Sequence, residues 1–287
     1  MGKRVVLTGY GCDFEPKHIF ECGQCFRFKR ETDGSYTLVA ENKVINVLKK
    51  NSDIIFNNVS DEEFSDVWYN YFDLKTDYKK IKNELSKNDD YLKTATEYGS
   101  GIRILNQNLW ECIISFIISA NNNIPRIQGI IERLCERYGD KLSYNNSTYY
   151  TFPCAEKITG DLSFLRAGYR DVYIKDACQR VFSRELDLEN LSKMETSDAQ
   201  KCLMSVKGIG PKVADCILLF GLQKREVFPV DVWVKRSVET LYGEENGKTP
   251  RQFAKDNFGD LAGYAQQYLF YAMRESAINV KGGIKDA

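Results

Sequence analysis

The spacing of hydrophobic and polar positions changes near Ser60. Before that residue, short runs of apolar and β-branched residues alternate with polar turns, which predicts strands near residues 26–30, 36–41, 43–48 and 54–59. The sequence Thr32-Asp33-Gly34-Ser35 between the first two runs is typical of a hairpin. The first sixty residues are therefore predicted to form a small antiparallel sheet.

Apolar residues recur at helical spacing after this point. Ser60 and Glu63 match a capping box, and Phe64, Val67 and Tyr71 follow on one helical face in a first predicted helix near 61–73. Further helices are predicted near residues 77–88, 107–120, 124–138, 171–186, 196–206, 211–222, 231–242, 250–257 and 260–276. The pattern predicts an α+β fold, with a strand-rich domain and its connecting helices at residues 1–98 and a larger helical body at residues 99–287.

A helical hairpin is predicted between helices 196–206 and 211–222. Its connection contains Lys207, Gly208 and Gly210, and Pro211 follows at the start of the second helix. The glycines permit a left-handed turn and a close backbone approach, and proline suits a first helical turn. Exposed amides at the helix start can hold a phosphate oxygen, with Lys207 as a nearby cation. An ordinary helical hairpin has the same pattern.

Three residues near this hairpin can carry chemistry. Lys212 lies in the first turn of the second helix, where the dipole disfavours a cation, and a lysine nucleophile must be uncharged. Cys216 lies four residues later, on the same helical face. Asp231 starts the next predicted helix, so we expect its carboxylate to cap that helix and to be fixed in position. A solvated lysine and a small core residue are the simpler interpretations of the first two.

These residues resemble the helix-hairpin-helix, Gly/Pro…Asp motif of base-excision DNA glycosylases. The likeness is most specific to the eukaryotic-type 8-oxoguanine DNA glycosylases. Further matches are GQCFRF at residues 23–28, NNNIPRI at 121–127, GYR at 168–170 and AQQYLF at 265–270. Several dispersed motifs in the right order are more specific than any one of them.

The resemblance implies a bifunctional enzyme that acts on duplex DNA containing 8-oxoguanine opposite cytosine. Lys212 would attack the sugar and form a Schiff base, and a β-elimination would then cleave the strand. Asp231 would stabilise the positively charged transition state. No metal and no cofactor are expected for this chemistry.

The resemblance also implies how the damaged base is recognised after it leaves the helix. The backbone carbonyl of Gly23 would accept a hydrogen bond from the N7–H that 8-oxoguanine has and guanine lacks. Gln266 would contact the Watson–Crick edge. Phe270 and Cys216 would stack on opposite faces of the base.

A second set of residues would contact the rest of the duplex. Asn121 would fill the space left by the extruded nucleotide, and Tyr169 would insert as a wedge beside it. Arg126 and Arg170 would donate hydrogen bonds to the unpaired cytosine. Surface arginines that contact only phosphate or solvent are the simpler interpretation.

The sequence departs from the family at several positions. Lys207 stands where proline is common, and Trp233 and Met273 replace polar residues expected near the pocket. Cys216 is the last cysteine, so the chain lacks the C-terminal four-cysteine iron–sulfur loop of related glycosylases.

Composition and charge limit the remaining possibilities. Hydrophobic residues make up 43% of the 287 residues, and no apolar run is long enough for a transmembrane helix, so no membrane partner is expected. The net charge is zero, but bases outnumber acids between Lys201 and Thr240, whereas acids outnumber bases between Asn51 and Ser100. Two ordinary solvated surfaces would give the same asymmetry.

The cysteine and histidine content favours a reducing compartment and argues against histidine-based catalysis. Nine scattered cysteines do not suggest a disulfide framework, and Cys22 and Cys25 are interpreted as structural thiols. His18 is the single histidine and is expected to be structural. We expect a monomer, either in a bacterial cytoplasm with the nucleoid or in a eukaryotic nucleus.

Three alternatives to 8-oxoguanine excision stay open at this stage. A related lysine glycosylase could act on another lesion such as an oxidised pyrimidine, which a panel of lesion duplexes would reveal. A DNA-binding module without catalysis would give no borohydride-trapped complex. A helical scaffold for protein partners would bind no DNA even at low salt.

Overall fold

The computed structural model describes residues 3–243, 249–275, 278–279 and 283–284. The side chain of Trp233 lies outside the described residues, so the expectation for that position is not addressed.

An antiparallel sheet of five strands forms the N-terminal part of the fold, in the spatial order β1-β5-β4-β3-β2. The strands are β1 (Arg4–Leu7), β2 (Phe28–Arg30), β3 (Tyr36–Ala40), β4 (Lys43–Lys50) and β5 (Asp53–Asn57). The interior strand β3 is buried along its whole length, and one core cluster joins this sheet to Trp68 and Phe72. The predicted sheet is confirmed, and β1 is added to it at the far edge.

Helices make up most of the remaining chain. The first are α1 (Pro16–Phe20), α2 (Asp61–Glu63), α3 (Tyr69–Tyr71), α4 (Tyr78–Leu85), α5 (Asp90–Tyr98), α6 (Leu109–Ser119) and α7 (Ile124–Tyr138). The others are α8 (Arg170–Phe182), α9 (Leu188–Lys193), α10 (Thr196–Met204), α11 (Pro211–Gly221), α12 (Val232–Tyr242), α13 (Pro250–Phe258) and α14 (Ala262–Arg274). The predicted α+β architecture is confirmed. None of the described helices is long and apolar enough to cross a membrane.

Helices α6, α11 and α14 form the centre of the helical body. Helix α6 is apolar and buried along nearly its whole length, and α11 packs directly against it. The rings of Phe116 on α6 and Phe220 on α11 stack with their centroids 5.5 Å apart and their planes 13° from parallel. This packing fixes α11, and therefore the hairpin at its N-terminus, against the core.

Some elements were not predicted. A hairpin of β6 (Lys141–Tyr144) and β7 (Ser147–Tyr150) interrupts the helical body. Its turn residues Asn145 and Asn146 both have positive φ, 52° and 61°, which asparagine tolerates better than most residues. Helices α1, α5 and α9 were also missed, and the helix predicted at 61–73 has a π-helical segment, Phe64–Trp68, between α2 and α3.

The thiols of Cys22 and Cys25 are free and buried, as expected for structural cysteines. Burial raises the pKa of Cys22 to about 11 and raises that of Cys25 as well. His18 is also structural, because its Nδ1 accepts a hydrogen bond of 3.3 Å from the amide of Gly101. Burial lowers the pKa of His18 and favours the neutral ring that this bond requires.

Candidate active site

The connection between α10 and α11 is a tight turn built on two different glycines. Gly208 has φ +85°, and a Cβ placed there would lie 2.3 Å from the ring of Tyr173. Gly210 caps α11 without a side chain, and a Cβ there would meet no atom within 4 Å. Gly208 is therefore needed for the turn, whereas Gly210 keeps the amide end of α11 uncovered.

An acidic residue of α8 holds this hairpin in place. Asp176 accepts a hydrogen bond of 3.0 Å from the backbone amide of Lys207, and its other oxygen lies 3.5 Å from Lys207 Nζ. Burial opposes ionisation of Asp176, but hydrogen bonds from Lys207 and Arg180 lower its pKa overall. The sequence analysis missed Asp176, because nothing in its local pattern indicates a contact with a loop 31 residues away.

Lys212 lies where the pattern predicted, in the first turn of α11. Its side chain is half-buried, and Nζ is 5.9 Å from the ring centroid of Phe116. Cys216 is buried on the same face. Burial raises the pKa of its thiol, and Lys212 partly opposes that shift through its charge and a hydrogen bond. The thiol is therefore neutral and lies beside the amine.

Asp231 is the N-cap of α12, as expected. Its Oδ1 accepts a hydrogen bond of 2.7 Å from the amide of Val234, which fixes the orientation of the carboxylate.

Lys212 and Asp231 line one small pocket. The other predicted recognition residues, Gly23, Cys216, Gln266 and Phe270, line the same pocket, together with Cys22, Phe116, Phe220, Pro229 and Gln267. Residues from the sheet region, α6, α11, the loop before α12 and α14 thus converge at one point. Their positions span more than two hundred residues of sequence.

The pocket is narrow. Its volume is about 40 Å³, whereas pockets for small molecules typically have about 300–1,000 Å³. A Cβ added to Gly23 would lie 3.4 Å from the ring of Phe270, so this ring closes directly over that backbone. A ligand larger than this volume can enter only when side chains such as Phe270 move.

The residues predicted to contact the rest of the duplex lie together at another place, where the α6–α7 loop contacts the start of α8. Arg170 is 3% exposed, and its guanidinium donates hydrogen bonds to the backbone carbonyls of Ala120, Asn121 and Ala167. Asn121 is exposed and has φ +49°. Arg170 therefore holds the strained turn that presents Asn121.

Tyr169 and Arg126 lie on the surface of the same region. The ring of Tyr169 is 54% exposed and lies 4.5 Å from the Arg170 guanidinium. Arg126 is exposed, and its guanidinium donates a long hydrogen bond of 3.4 Å to the carbonyl of Arg166. Asn121, Tyr169 and Arg126 are therefore accessible to a ligand, and Arg170 is largely committed to the protein backbone.

Phe116 and Gln267 are pocket residues that the sequence analysis did not single out. Phe116 lies in an apolar helix, and the hydrophobic pattern of such a helix does not distinguish a core residue from a pocket residue. Gln267 is adjacent to Gln266, and helical spacing predicts that neighbouring residues point in different directions. The sequence feature that could have identified Gln267 is a polar side chain within a helix that is otherwise rich in apolar residues.

The fold and the pocket define the class, a helix-hairpin-helix protein with a lysine and a capping aspartate in one cavity. Residues 9–113 match the family described as 8-oxoguanine DNA glycosylase, N-terminal domain, and residues 114–258 match the HhH-GPD superfamily of base excision DNA repair proteins. The chain belongs to the HhH-GPD superfamily of base excision DNA repair proteins and carries the N-terminal domain of the 8-oxoguanine DNA glycosylases.

Similar proteins span most of the chain. A probable N-glycosylase/DNA lyase of Methanothermobacter thermautotrophicus is 34% identical over 72% of this chain and 74% of its own. The 8-oxoguanine glycosylase/lyase of Clostridium acetobutylicum, solved with double-stranded DNA containing cytosine opposite 8-oxoG, is 44% identical, with a TM-score of 0.88 over 93% of each chain. A structure of MBOgg1 with a low-affinity DNA ligand is 46% identical, with a TM-score of 0.92 over 96% of this chain and 97% of that one.

Proposed function

We propose that this protein excises 8-oxoguanine from duplex DNA in which it lies opposite cytosine, and then cleaves the strand at the abasic site. The observation that carries this proposal is that Lys212 and Asp231 line one pocket with Gly23, Cys216, Gln266 and Phe270. Family membership and relatives named as glycosylase/lyases support it.

Lys212 is the nucleophile. Its unprotonated Nζ attacks C1′ of the damaged nucleotide, and the bond from C1′ to N9 breaks with its electron pair leaving on the base. The amine and C1′ then form a Schiff base as the sugar ring opens. Loss of a proton from C2′ allows the C3′–O bond to break, which cleaves the strand by β-elimination.

Asp231 stabilises the positive charge that develops on the sugar as the base departs. A carboxylate fixed by its cap on α12 needs no reorientation when this charge appears, which is the condition for effective electrostatic stabilisation. The aromatic ring of Phe116 beside Lys212 limits the access of water to the amine.

The base is identified by its changed hydrogen-bonding edge. The Gly23 carbonyl accepts a hydrogen bond from N7–H of 8-oxoguanine, whereas guanine would bring an acceptor to that carbonyl. One such difference is worth about 1–3 kcal/mol. Gln266 pairs with the Watson–Crick edge, and the base lies between Phe270 and the neutral thiol of Cys216.

The surrounding duplex is held by the other predicted residues. Gly208 and Gly210 bring backbone amides to a phosphate, and Lys207 adds a positive charge. Asn121 fills the helix where the base has left, Tyr169 wedges beside it, and Arg126 donates to the unpaired cytosine. Arg170 uses four of its five N–H groups on carbonyls, which leaves one for the cytosine.

One copy of the chain supplies every residue proposed for catalysis and base recognition, so we expect a monomer to be sufficient for activity. Its two proposed domains, residues 1–98 and 99–287, meet there, because Gly23 comes from the first and Lys212 and Asp231 from the second. Because its substrate is genomic DNA, the protein would act in a bacterial cytoplasm with the nucleoid or in a eukaryotic nucleus.

Borohydride trapping tests this function directly. Wild-type protein incubated with a duplex containing 8-oxoguanine opposite cytosine should become covalently attached to DNA when borohydride reduces the Schiff base. Lys212→Gln should give no attached product, whereas the control Lys201→Gln, an exposed lysine paired with Asp198 on α10, should still be trapped.

A panel of single-lesion duplexes separates the alternatives. Faster excision of an oxidised pyrimidine than of 8-oxoguanine would overturn the proposed substrate. DNA binding without trapping would indicate a non-catalytic module. No binding even at low salt would overturn the DNA-related function altogether.

A further inference from the structure

Gln267 places a second buried carboxamide in the base pocket, next to Gln266. Gln267 is 4% exposed, Gln266 is 5% exposed, and both line the pocket with Lys212. Nε2 of Gln267 donates a hydrogen bond of 3.1 Å to Oε1 of Gln266. The two side chains therefore form a linked pair in which Gln267 sets the orientation of the Gln266 amide.

The acceptor oxygen of Gln267 is buried without a hydrogen-bond partner among the described residues. Leaving a buried acceptor unpaired is unfavourable, and most buried polar atoms in proteins are paired. Asp171 and Tyr268 also have such an atom, but neither of them lines the pocket. The pocket position of Gln267 Oε1 points to a partner that arrives with the substrate.

The Watson–Crick edge of 8-oxoguanine offers a matching donor. This edge presents the O6 acceptor, the N1–H donor and the 2-amino donor. A single carboxamide can pair bidentately with two neighbouring groups, so Gln266 can satisfy O6 and N1–H but leaves the 2-amino group unpaired. Oε1 of Gln266 retains a lone pair for N1–H while it accepts from Gln267, because a carbonyl oxygen has two.

We propose that Gln267 is a specificity-determining residue whose Oε1 accepts a hydrogen bond from the exocyclic 2-amino group of the flipped 8-oxoguanine. This inference rests on the proposed function. The pair Gln266–Gln267 then reads all three groups of the edge, and the buried acceptor gains its partner only when the base is in the pocket.

The test compares 8-oxoguanine with 8-oxohypoxanthine, which differs only by lacking the 2-amino group. Both are placed opposite cytosine in the same duplex, and single-turnover excision rates are measured with the full-length protein. We expect the wild type to excise 8-oxoguanine about 10-fold faster, which corresponds to about 1.4 kcal/mol. In Gln267→Met, which keeps the side-chain length but has no amide, this ratio should fall at least about fivefold.

Controls separate recognition from a structural effect. Tyr268→Phe removes the other unpartnered polar atom of the same helix, away from the pocket, and should keep the wild-type ratio. Thermal unfolding verifies that Gln267→Met is folded, and Gln267→Leu serves as a second variant without the acceptor. If Gln267→Met and Gln267→Leu slow the excision of both lesions equally, the proposal is overturned. Absence of wild-type activity on both lesions would instead overturn the proposed function.

Discussion

Oδ2 of Asp215 accepts a hydrogen bond of 2.8 Å from Nε of Arg251 and forms an ion pair with Nη2 of the same guanidinium at 2.7 Å. Asp215 is 1% exposed and lies on α11 between Lys212 and Cys216, and its other oxygen accepts a hydrogen bond from Gln200. This pair attaches the helix of the proposed nucleophile to α13. A buried charge thus fixes the helix that carries Lys212.

We predict that Arg251→Met lowers the free energy of unfolding by about 1–3 kcal/mol at neutral pH, because it leaves a buried carboxylate without its cation. Burial already raises the pKa of Asp215, and Arg251 partly opposes this shift. A raised pKa in the folded state means that stability falls as pH rises through the range between the unfolded and folded values. The variant raises this pKa further, so its deficit should shrink as the pH is lowered to about 4.

Urea unfolding at neutral and acidic pH measures this effect. Lys201→Met, which removes a pair exposed on both sides, is the control and should change stability by less than about 1 kcal/mol at either pH. A deficit of Arg251→Met that stays constant with pH would contradict the explanation.

The two hairpin glycines should respond differently to alanine. Gly208→Ala forces a positive φ on alanine and brings its Cβ onto the Tyr173 ring, so we expect a loss of about 2–4 kcal/mol in stability. Gly210→Ala has an ordinary φ of −90° and open space, and should stay within about 1 kcal/mol of wild type. Denaturant unfolding compares the two. Equal stability losses would show that the close contact with Tyr173 does not constrain the turn.

Gly23→Ala should impair excision beyond its effect on stability. Alanine at φ +81° costs about 1–2 kcal/mol, and its methyl group would lie against Phe270 in a pocket that must widen for the base. Gly34→Ala is the matched control, because Gly34 has φ +84° but no atom within 4 Å of the added Cβ. Both variants should lose similar stability, and only Gly23→Ala should slow single-turnover excision, by about 10-fold or more. Equal rates in the two variants would argue against a role for Gly23 in the pocket.

Replacing the two arginines near Asn121 should have different effects on the stability of the protein. Arg170→Met leaves the carbonyls of Ala120, Asn121 and Ala167 without their donor, so we expect a loss of about 3 kcal/mol in stability. Arg126→Met should leave stability unchanged within about 0.5 kcal/mol, since this side chain is exposed.

The preference of the enzyme for the base opposite the lesion tests whether Arg126 contacts the unpaired cytosine. Excision rates with each of the four bases opposite 8-oxoguanine should show a weaker cytosine preference in Arg126→Met. An unchanged preference in that variant would remove Arg126 from the proposed cytosine contacts.

Local patterns were sufficient for much of the fold. The helix at 124–138 was predicted with its observed ends, because Asn123 caps it and Gly139 follows it. The expected cap by Asp231 is present for the same reason, since an N-cap depends only on the next few residues. The hairpin β6–β7 was missed because its two turn asparagines lie between short, polar strands with little hydrophobic alternation.

The sequence by itself determined the hairpin, the positions of Lys212 and Asp231 at helix starts, and the motifs that indicate the family. These features depend on neighbours a few residues apart. Only the tertiary structure decided that Phe116 and Gln267 border the pocket, that Arg170 is buried beneath Asn121, and that Asp215 meets Arg251. Such contacts join distant segments through the packing of whole helices, and periodicity along one segment carries no information about which surface another segment will cover.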